Sequence, residues 1–328
     1  MTTAAQLDDL WTRLAATGGA QRQFRSLRAP DAGALDVHVA LRAADGARCL
    51  LFDLPAPGEI EAGFEAGGLR LTRVALDDRL AMALLLEDPA HTDLFTTVCA
   101  DVVAFAGTTD AADSARALRL VMERLEAWRQ FLRSLSGGMS RPDVIGLTGE
   151  LHVLEALLSL DPVLLPAWRA PDDGLHDFEN AGHALEVKTT LGPGWRVTIS
   201  TIDQLDETGL ERLDLIQVRL FESPDGRTLE ELIERIALLL PGDSERRSFS
   251  NALLQRGLAP DDRIAHSGLR SLLQQMTGYA VGDDFPRVRR AGLAGAIVDV
   301  SYVLDLAQLQ SFAEPAGTTF ENFGDRRP

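Results

Sequence analysis

The spacing of apolar residues changes period several times along the chain. Leu7, Leu10 and Leu14 recur at helical steps and predict a short helix over residues 4–16. From Asp36 alternation takes over. Residues 36–41, 48–53, 69–74 and 80–86 read as strands, punctuated by Asp45-Gly46, Pro55, Pro57 and Gly67-Gly68. His38 alternates with the apolar positions of its strand and is expected to face solvent. A helix over residues 93–105 closes this part, so residues 1–110 are expected to form an antiparallel, β-rich N-terminal domain. Residues 111–135 predict a long amphipathic helix, with Ala117, Leu118, Val121, Leu125, Trp128 and Leu132 on its buried side. Arg116, Arg119, Arg124, Arg129 and Arg133 line much of the remainder as a solvated face. Ser136-Gly137-Gly138-Met139-Ser140 then interrupts the pattern, and residues 111–138 are assigned as a connecting segment.

Residues 139–225 carry a different pattern. Ser140 fits an N-cap, with Pro142 in the first turn and Asp143 at the third position. The helix runs to about residue 160 on a stripe of Val144, Leu147, Leu151, Leu154 and Leu158. At 100° per residue, Glu150 and Glu155 each lie roughly 70° from the stripe centre, on opposite edges. Periodicity does not choose between them, and His152 falls farther round, on the exposed side. A loop follows, with Trp168 as a packing anchor and Asp172 and Asp173 as loop acids. Residues 176–190 then alternate as a tight β-hairpin, with Ala181-Gly182 as a two-residue turn. In that register Asn180 faces His183, Phe178 faces Leu185 and Asp177 faces Glu186. Beyond it come a strand at 196–200, Gln204 at a helix start, and a nearly continuous apolar strand at 213–221, expected to be central. Residues 226–328 are expected to be a helical C-terminal region with closing strands. Its helices are placed at 228–240 (opened by the Thr228/Glu231 capping box), 244–256 and 261–276, its strands at 279–281 and 294–304, and its tail after Gly317 is expected to be loose.

The hairpin concentrates the chemistry. Leu185 and Val187 fall on one face, while Asp177, Glu186 and Lys188 converge on the other. Two carboxylates and an ammonium at close range are costly unless a divalent cation or a phosphate completes them. Lys188 is also the only lysine among 32 Lys+Arg residues. A composition that has otherwise exchanged lysine for arginine keeps a compact point donor here, one that can orient a water as a guanidinium fork does not.

Composition limits the alternatives. The 328 residues suffice for two or three domains, and 45% hydrophobic with 25% charged residues is ordinary for a globular protein. No run approaches the roughly 18 apolar residues of a membrane span, and the first residues have neither a basic region nor a long apolar core. A bacterial cytoplasm is the expected location. Cys49 and Cys99 are too few for a disulfide framework or a cysteine-rich zinc site and are expected to be buried. The net charge of −17 disfavours passive coating of nucleic acid. It leaves room for an acidic site that reaches DNA through a bound cation, with a partner protein bringing the DNA. A Walker ATPase needs its lysine after Gly-x-x-x-x-Gly, which Lys188 does not provide. His-Glu-x-x-His, Gly-x-Ser-x-Gly and a strand-borne Gly-x-Gly-x-x-Gly are absent. Arg287, Arg289 and Arg290 could grip phosphate, but Asp283 and Asp284 beside them favour a balanced surface loop.

Glu150 on a helix, Asp177 on a strand and Glu186-Val187-Lys188 on its partner resemble the PD-(D/E)XK nuclease superfamily. More closely, the chain resembles a bacterial family of uncharacterised PD-(D/E)XK motif proteins found beside phage-defence and restriction genes. The matching stretches are Gly146-Leu147-Thr148-Gly149-Glu150-Leu151, Trp168, His176-Asp177-Phe178, residues 185–189, Gln204-Leu205 and Phe285-Pro286-Arg287-Val288. His176 stands where the motif's proline would be. The resemblance implies a restriction-endonuclease-like core, a mixed sheet flanked by helices. It implies Mg²⁺, with Mn²⁺ as substitute, held by Asp177, Glu186, the Val187 carbonyl and Glu150, directly or through water. Lys188 would orient or deprotonate the attacking water, and Gln204 would contact the site. It also implies DNA as substrate and further subunits of a defence system, such as an ATPase, as partners, and it leaves a homo-oligomer open. Two rival readings are a catalytically silent scaffold on the same fold and an RNA-cleaving toxin.

Overall fold

A computed structural model describes residues 2–17, 22–54, 63–77, 79–108, 113–134, 139–169, 174–260, 266 and 268–325. Pro55, Pro57, Asp172, Asp173, the glycine pair Gly137-Gly138 and the starts assigned to helices at 111 and 261 lie outside the described residues. The chain divides into two compact units, Met1–Gly137 and Gly138–Pro328.

Among the described residues, the first unit is a six-stranded antiparallel sheet with three α-helices. In chain order it holds α1 (Ala4–Ala16), β1 (Phe24–Arg28), β2 (Val37–Arg42), β3 (Arg48–Asp53), β4 (Phe64–Ala66), β5 (Leu69–Ala75), β6 (Leu80–Leu86), α2 (Thr92–Gly107) and α3 (Ser114–Ser134). The strand order is β1-β2-β3-β6-β5-β4. Trp11 of α1 is buried and its indole N–H donates to the carbonyls of Ala40 and Cys49, fastening the helix to the sheet. Cys49 and Cys99 are free and buried, as expected of small apolar residues.

Two sequence expectations fail here. Arg124 is not on a solvated face: it is 1% exposed and makes a bidentate pair with Asp101, which also accepts from the Trp128 indole. It lies between Val121 and Leu125 on the inner side of α3, where Asp101 of α2 neutralises it. His38 does not face solvent either. Its strand is paired on both edges, and the ring sits between Asp36 and Asp53.

The second unit holds the hairpin. Its elements are α4 (Arg141–Leu160), β7 (Phe178–Asn180), β8 (His183–Leu191), β9 (Arg196–Ile199), β10 (Arg212–Arg227), α5 (Leu229–Leu239), α6 (Asp243–Gln255), β11 (Ser271–Ala280), β12 (Tyr302–Asp305), β13 (Ala313–Pro315) and α7 (Ala316–Gly324). Five strands form a mixed sheet in the order β13-β11-β10-β8-β7, with β8 and β10 parallel and the other pairs antiparallel. Both faces are covered. Leu185, Val187, Ile216, Val218 and Leu220 pack under α4, α5, α6 and α7. Ala184, Leu213 and Leu215 pack under the small β9/β12 ribbon, together with Phe285 and Leu306. This is the mixed sheet flanked by helices that the sequence led us to expect.

The C-terminal third differs more. The helix expected at 261–276 is replaced over its second half by β11, which pairs with β10 from Asp214 to Glu222. Most of its first half is exposed, so no burial period marks it as a strand; pairing with a long central neighbour decides its form. The strand expected at 294–304 shrinks to Tyr302–Asp305, because β9 offers only four partners. Val298 is consequently 80% exposed despite its apolar surroundings in sequence. The tail is not loose: α7 buries Phe320 and Phe323. His152 is buried rather than exposed, because α5 packs along that side of α4 and brings Arg235 to Glu155 at 2.7 Å.

Helix α4 approaches the sheet at Gly149. A methyl group there would meet Thr189 Oγ1 of β8 at 1.8 Å, so only hydrogen lets helix and strand come this close. The contact sets the depth at which the adjacent Glu150 stands beside the hairpin. Gly149→Ala is expected to destabilise the protein by about 1–3 kcal/mol through overpacking. Thr189→Ala, which removes Oγ1 and Cγ2 but leaves Cβ close by, should recover part of that loss. Chemical denaturation of the two single variants and the double variant checks this; strict additivity would contradict the contact.

Candidate active site

The hairpin has the register read from its sequence: Phe178 opposite Leu185, Glu179 opposite Ala184 and Asn180 opposite His183. Ala181 and Gly182 both have positive φ (44° and 82°), the requirement of a type I′ turn. Alanine fills the first of these positions although it has a Cβ, and glycine relieves the second. Asp177 lies just before β7. Its Oδ2 accepts from the Val187 amide at 2.7 Å, and its own carbonyl accepts from the Arg169 amide at 3.0 Å. The aspartate is therefore held to both the strand and the incoming loop.

Glu186 is 2% exposed, and its Oε1 accepts from Lys188 Nζ at 2.8 Å. Glu150 enters from α4. Its Oε2 accepts from the Trp168 indole and from Arg256 Nε, each at 2.9 Å. The Arg256 guanidinium stacks on the Trp168 ring, 3.7 Å from the centroid, and also donates to the Arg169 carbonyl. Glu155, the other edge glutamate, is taken by Arg235 and so lies on the α5 side. The two edge glutamates thus lie on different sides of α4, Glu150 with Trp168 and Arg256, Glu155 with Arg235.

The three acids feel one another. Burial holds the Asp177 carboxyl well above the usual carboxylate range, and the neighbouring Glu186 and Glu150 add to the rise; the Val187 N–H and Lys188 oppose it. Burial likewise pushes Glu186 up to about 7, against the pull of Lys188 and with a further push from Glu150. Such a cluster is under-neutralised. Asp177 Oδ1 and Glu186 Oε2 accept no hydrogen bond from the described residues, so each keeps an oxygen for a ligand. This donor set of hard oxygens fits a divalent cation that retains several waters. The three carboxylates do not converge as a closed cage. Among the described residues, the only His, Cys, Asp and Glu groups whose ligand atoms all lie within 4.8 Å of one another are Asp36, His38 and Asp53 in the first unit. There Arg28 already neutralises Asp36 and Arg79 neutralises Asp53.

Other candidates are engaged elsewhere. Gln204 Oε1 accepts from the Ser200 amide at 2.8 Å, closing the turn into a short 3-10 helix. Arg287 binds the Leu205 carbonyl and Glu207, Arg289 binds Asp283, and Arg290 binds Asp203. That triplet braces its loop, through Arg289 internally and through Arg287 and Arg290 against the 203–207 segment. Conversely, sequence reasoning missed Arg256. Nothing in the sequence separates it from the other arginines, because its role arises only when the end of α6 folds over Trp168. A weaker signal was available for strand β10, where Gln217 and Arg219 interrupt an apolar run at period two.

An acid-bearing helix packed on a mixed sheet, with Asp177 and Glu186-Val187-Lys188 on one hairpin, defines a PD-(D/E)XK-type core. A family model described as "Putative PD-(D/E)XK family member, (DUF4420)" matches residues 7–307, and the chain belongs to that family. No curated protein and no solved structure matches it significantly. Among the described residues, no helix is long and apolar enough to cross a membrane.

The raised Glu186 carboxyl has a measurable consequence. Its folded-state value, about 7, exceeds the ordinary 4.5, so the folded state prefers the protonated form. The stability this group contributes is complete below the ordinary value and is lost as pH rises towards about 7. Glu186→Gln cannot ionise. In EDTA the variant is expected to gain on the wild type between about pH 5 and about pH 8, by an amount on the order of 1–3 kcal/mol. Thermal unfolding across that range tests it, and a pH-independent difference would count against the buried carboxylate pair.

Proposed function

We propose that this protein is a metal-dependent DNA endonuclease that hydrolyses phosphodiester bonds as the cleaving subunit of a bacterial defence or restriction system. The observation that carries the reading is a buried Asp177/Glu186 pair, both held above their ordinary carboxyl range, with the sole lysine of the chain on one of them. Family membership supports nuclease-type chemistry; DNA as the substrate, the defence role and the ion are our inference.

Asp177 and Glu186, with the Val187 carbonyl and assistance from Glu150, would hold Mg²⁺, or Mn²⁺ in its place, and the ion would supply Lewis-acid stabilisation of charge on the phosphate. The protein's own groups divide the remaining work. Lys188, fixed by Glu186, presents its ammonium to the attacking water and lowers the cost of negative charge building up beside it. The Val187 amide keeps Asp177 facing Glu186. Trp168 and Arg256 hold Glu150 by the same oxygen, leaving Oε1 for a water or the ion. Gln204 has its carbonyl committed to Ser200 and is given no step. The net charge of −17 opposes tight unaided binding of DNA, which supports a partner, such as an ATPase, that loads the substrate.

Nicking of supercoiled plasmid in Mg²⁺ or Mn²⁺, with and without EDTA, tests the proposal. Lys188→Ala is expected to lose about 10²-fold or more of the rate while keeping the wild-type melting temperature. Undiminished cleavage by that variant would rule out the role given to Lys188. If the wild type is silent alone, the assay is repeated with the products of neighbouring genes.

A further inference from the structure

The sheet face that carries Glu186 and Lys188 continues onto β10. Parallel pairing sets Leu215 beside Glu186, Gln217 beside Lys188 and Arg219 beside Thr190. Register partners on adjacent strands share a face, and adjacent strands lie about 4.8 Å apart. Along this face the sheet changes from apolar, at Ala184, Leu213 and Leu215, to polar, at Lys188, Gln217 and Arg219.

Neither Gln217 nor Arg219 is satisfied. Gln217 is 1% exposed; its Oε1 accepts from the Tyr279 hydroxyl at 3.3 Å, while its Nε2 is buried without a partner. Arg219 is 9% exposed, its Nε is buried without a partner, and it makes no ion pair among the described residues. Beneath it lies the Trp195 ring, 4.3 Å from centroid to guanidinium carbon. Arg212, on the same strand, is bound by both Asp214 and Glu314. A buried guanidinium without an anion is costly, and so is a buried amide donor without an acceptor. Two such donors two residues apart, next to Lys188, point to a negatively charged ligand that accepts hydrogen bonds. The face is not sealed at this level. Gln275, the β11 partner of Arg219, is exposed, and the β10–β11 register shifts immediately after Arg219, as at bulges that redirect side chains.

We propose that Gln217 and Arg219 form a phosphate subsite that holds the nucleic-acid backbone one step along from the bond being cut. The proposal rests on the nuclease reading above. The indole of Trp195 keeps the guanidinium flat and leaves its N–H edge for two phosphate oxygens. The Gln217 amide, oriented by Tyr279, gives a neutral donor between that phosphate and Lys188.

The test uses the full chain in EDTA, so that binding is read without cleavage. The probe is a short fluorescein-labelled oligodeoxythymidylate, followed by anisotropy across a salt series. Arg219→Met should weaken binding about tenfold or more and lower the salt slope by about one. Arg219→Lys should keep the slope, and Gln217→Leu should weaken binding less. Because Arg219→Met removes an unpaired buried charge, its melting temperature should equal or exceed that of the wild type. Wild-type affinity and slope in Arg219→Met would overturn the proposal. So would a lower melting temperature with unaltered affinity, which would mark the cation–π stack as structural only, or a wild type that does not bind the probe at low salt. Plasmid nicking, measured separately, keeps the two ideas apart. A variant that cuts normally without Arg219 defeats the subsite alone, whereas a wild type that binds through Arg219 but cuts neither alone nor with the products of neighbouring genes defeats the nuclease reading and leaves only a phosphate-binding site.

Discussion

The Val187 amide donates to the carboxylate of Asp177, and the site is built outward from that hydrogen bond. The pairing of β7 with β8 ends at Phe178, one residue short of Asp177. At that point a side-chain oxygen takes the place of a strand partner. The bond holds a carboxylate against a neighbour that repels it, and burial amplifies the repulsion. A hairpin with a looser turn would let the two acids drift apart and lose the site. The type I′ turn at Ala181-Gly182, the Arg169 amide on the Asp177 carbonyl and the close packing of α4 at Gly149 all act against that drift.

Arginine serves two purposes in the second unit. Arg212, Arg235, Arg287 and Arg290 each meet a carboxylate and brace the fold. Arg256 does so too, but the carboxylate it meets is Glu150, so the brace extends into the site. Arg219 meets none among the described residues. In a chain with 49 acids to 32 bases, a buried cation left without an acid is unusual enough to require a reason. The acid-rich balance of the whole chain therefore says little about β10 next to Lys188, where Arg219 meets no acid among the described residues.

The hairpin register was legible in the sequence because a strict period of two and a turn suited to positive φ agree on one pairing. The central strand β10 and the helix caps at Ser140 and Thr228 were legible for similar reasons: local chemistry and global packing favour the same conformation. Glu150 could not be separated from Glu155 by angle on the helix, since both flank the same stripe; the partners that distinguish them, Arg256 and Arg235, come from far along the chain. Helical periodicity likewise misled at residues 271–276, where the exposed half of β11 shows no alternation. His152 was placed outside because a helical wheel assumes one buried face, while α5 covers a second side of α4; Arg124 flanks the buried stripe of α3 and was placed outside because of its charge, which Asp101 neutralises. Gln204 was carried by the resemblance alone, and the structure gives its carbonyl a local backbone partner instead.

The position of α7 bears on when the site can exist. Its Phe323 carbonyl accepts from the Asn180 side chain, and the Phe323 ring packs edge-on against His183, the first residue of β8. Glu314, just before the helix, completes the Arg212–Asp214–His183 network that joins the start of β8 to the start of β10. The hairpin thus waits for a segment made more than a hundred residues later. At roughly 5–20 residues per second of synthesis, several seconds separate the emergence of the acids from that of the helix that seats them. A ribosome carrying a partial chain would hold Glu150, Asp177 and Glu186 without their finished frame, so the arrangement of these acids would not be complete before α7 has been made.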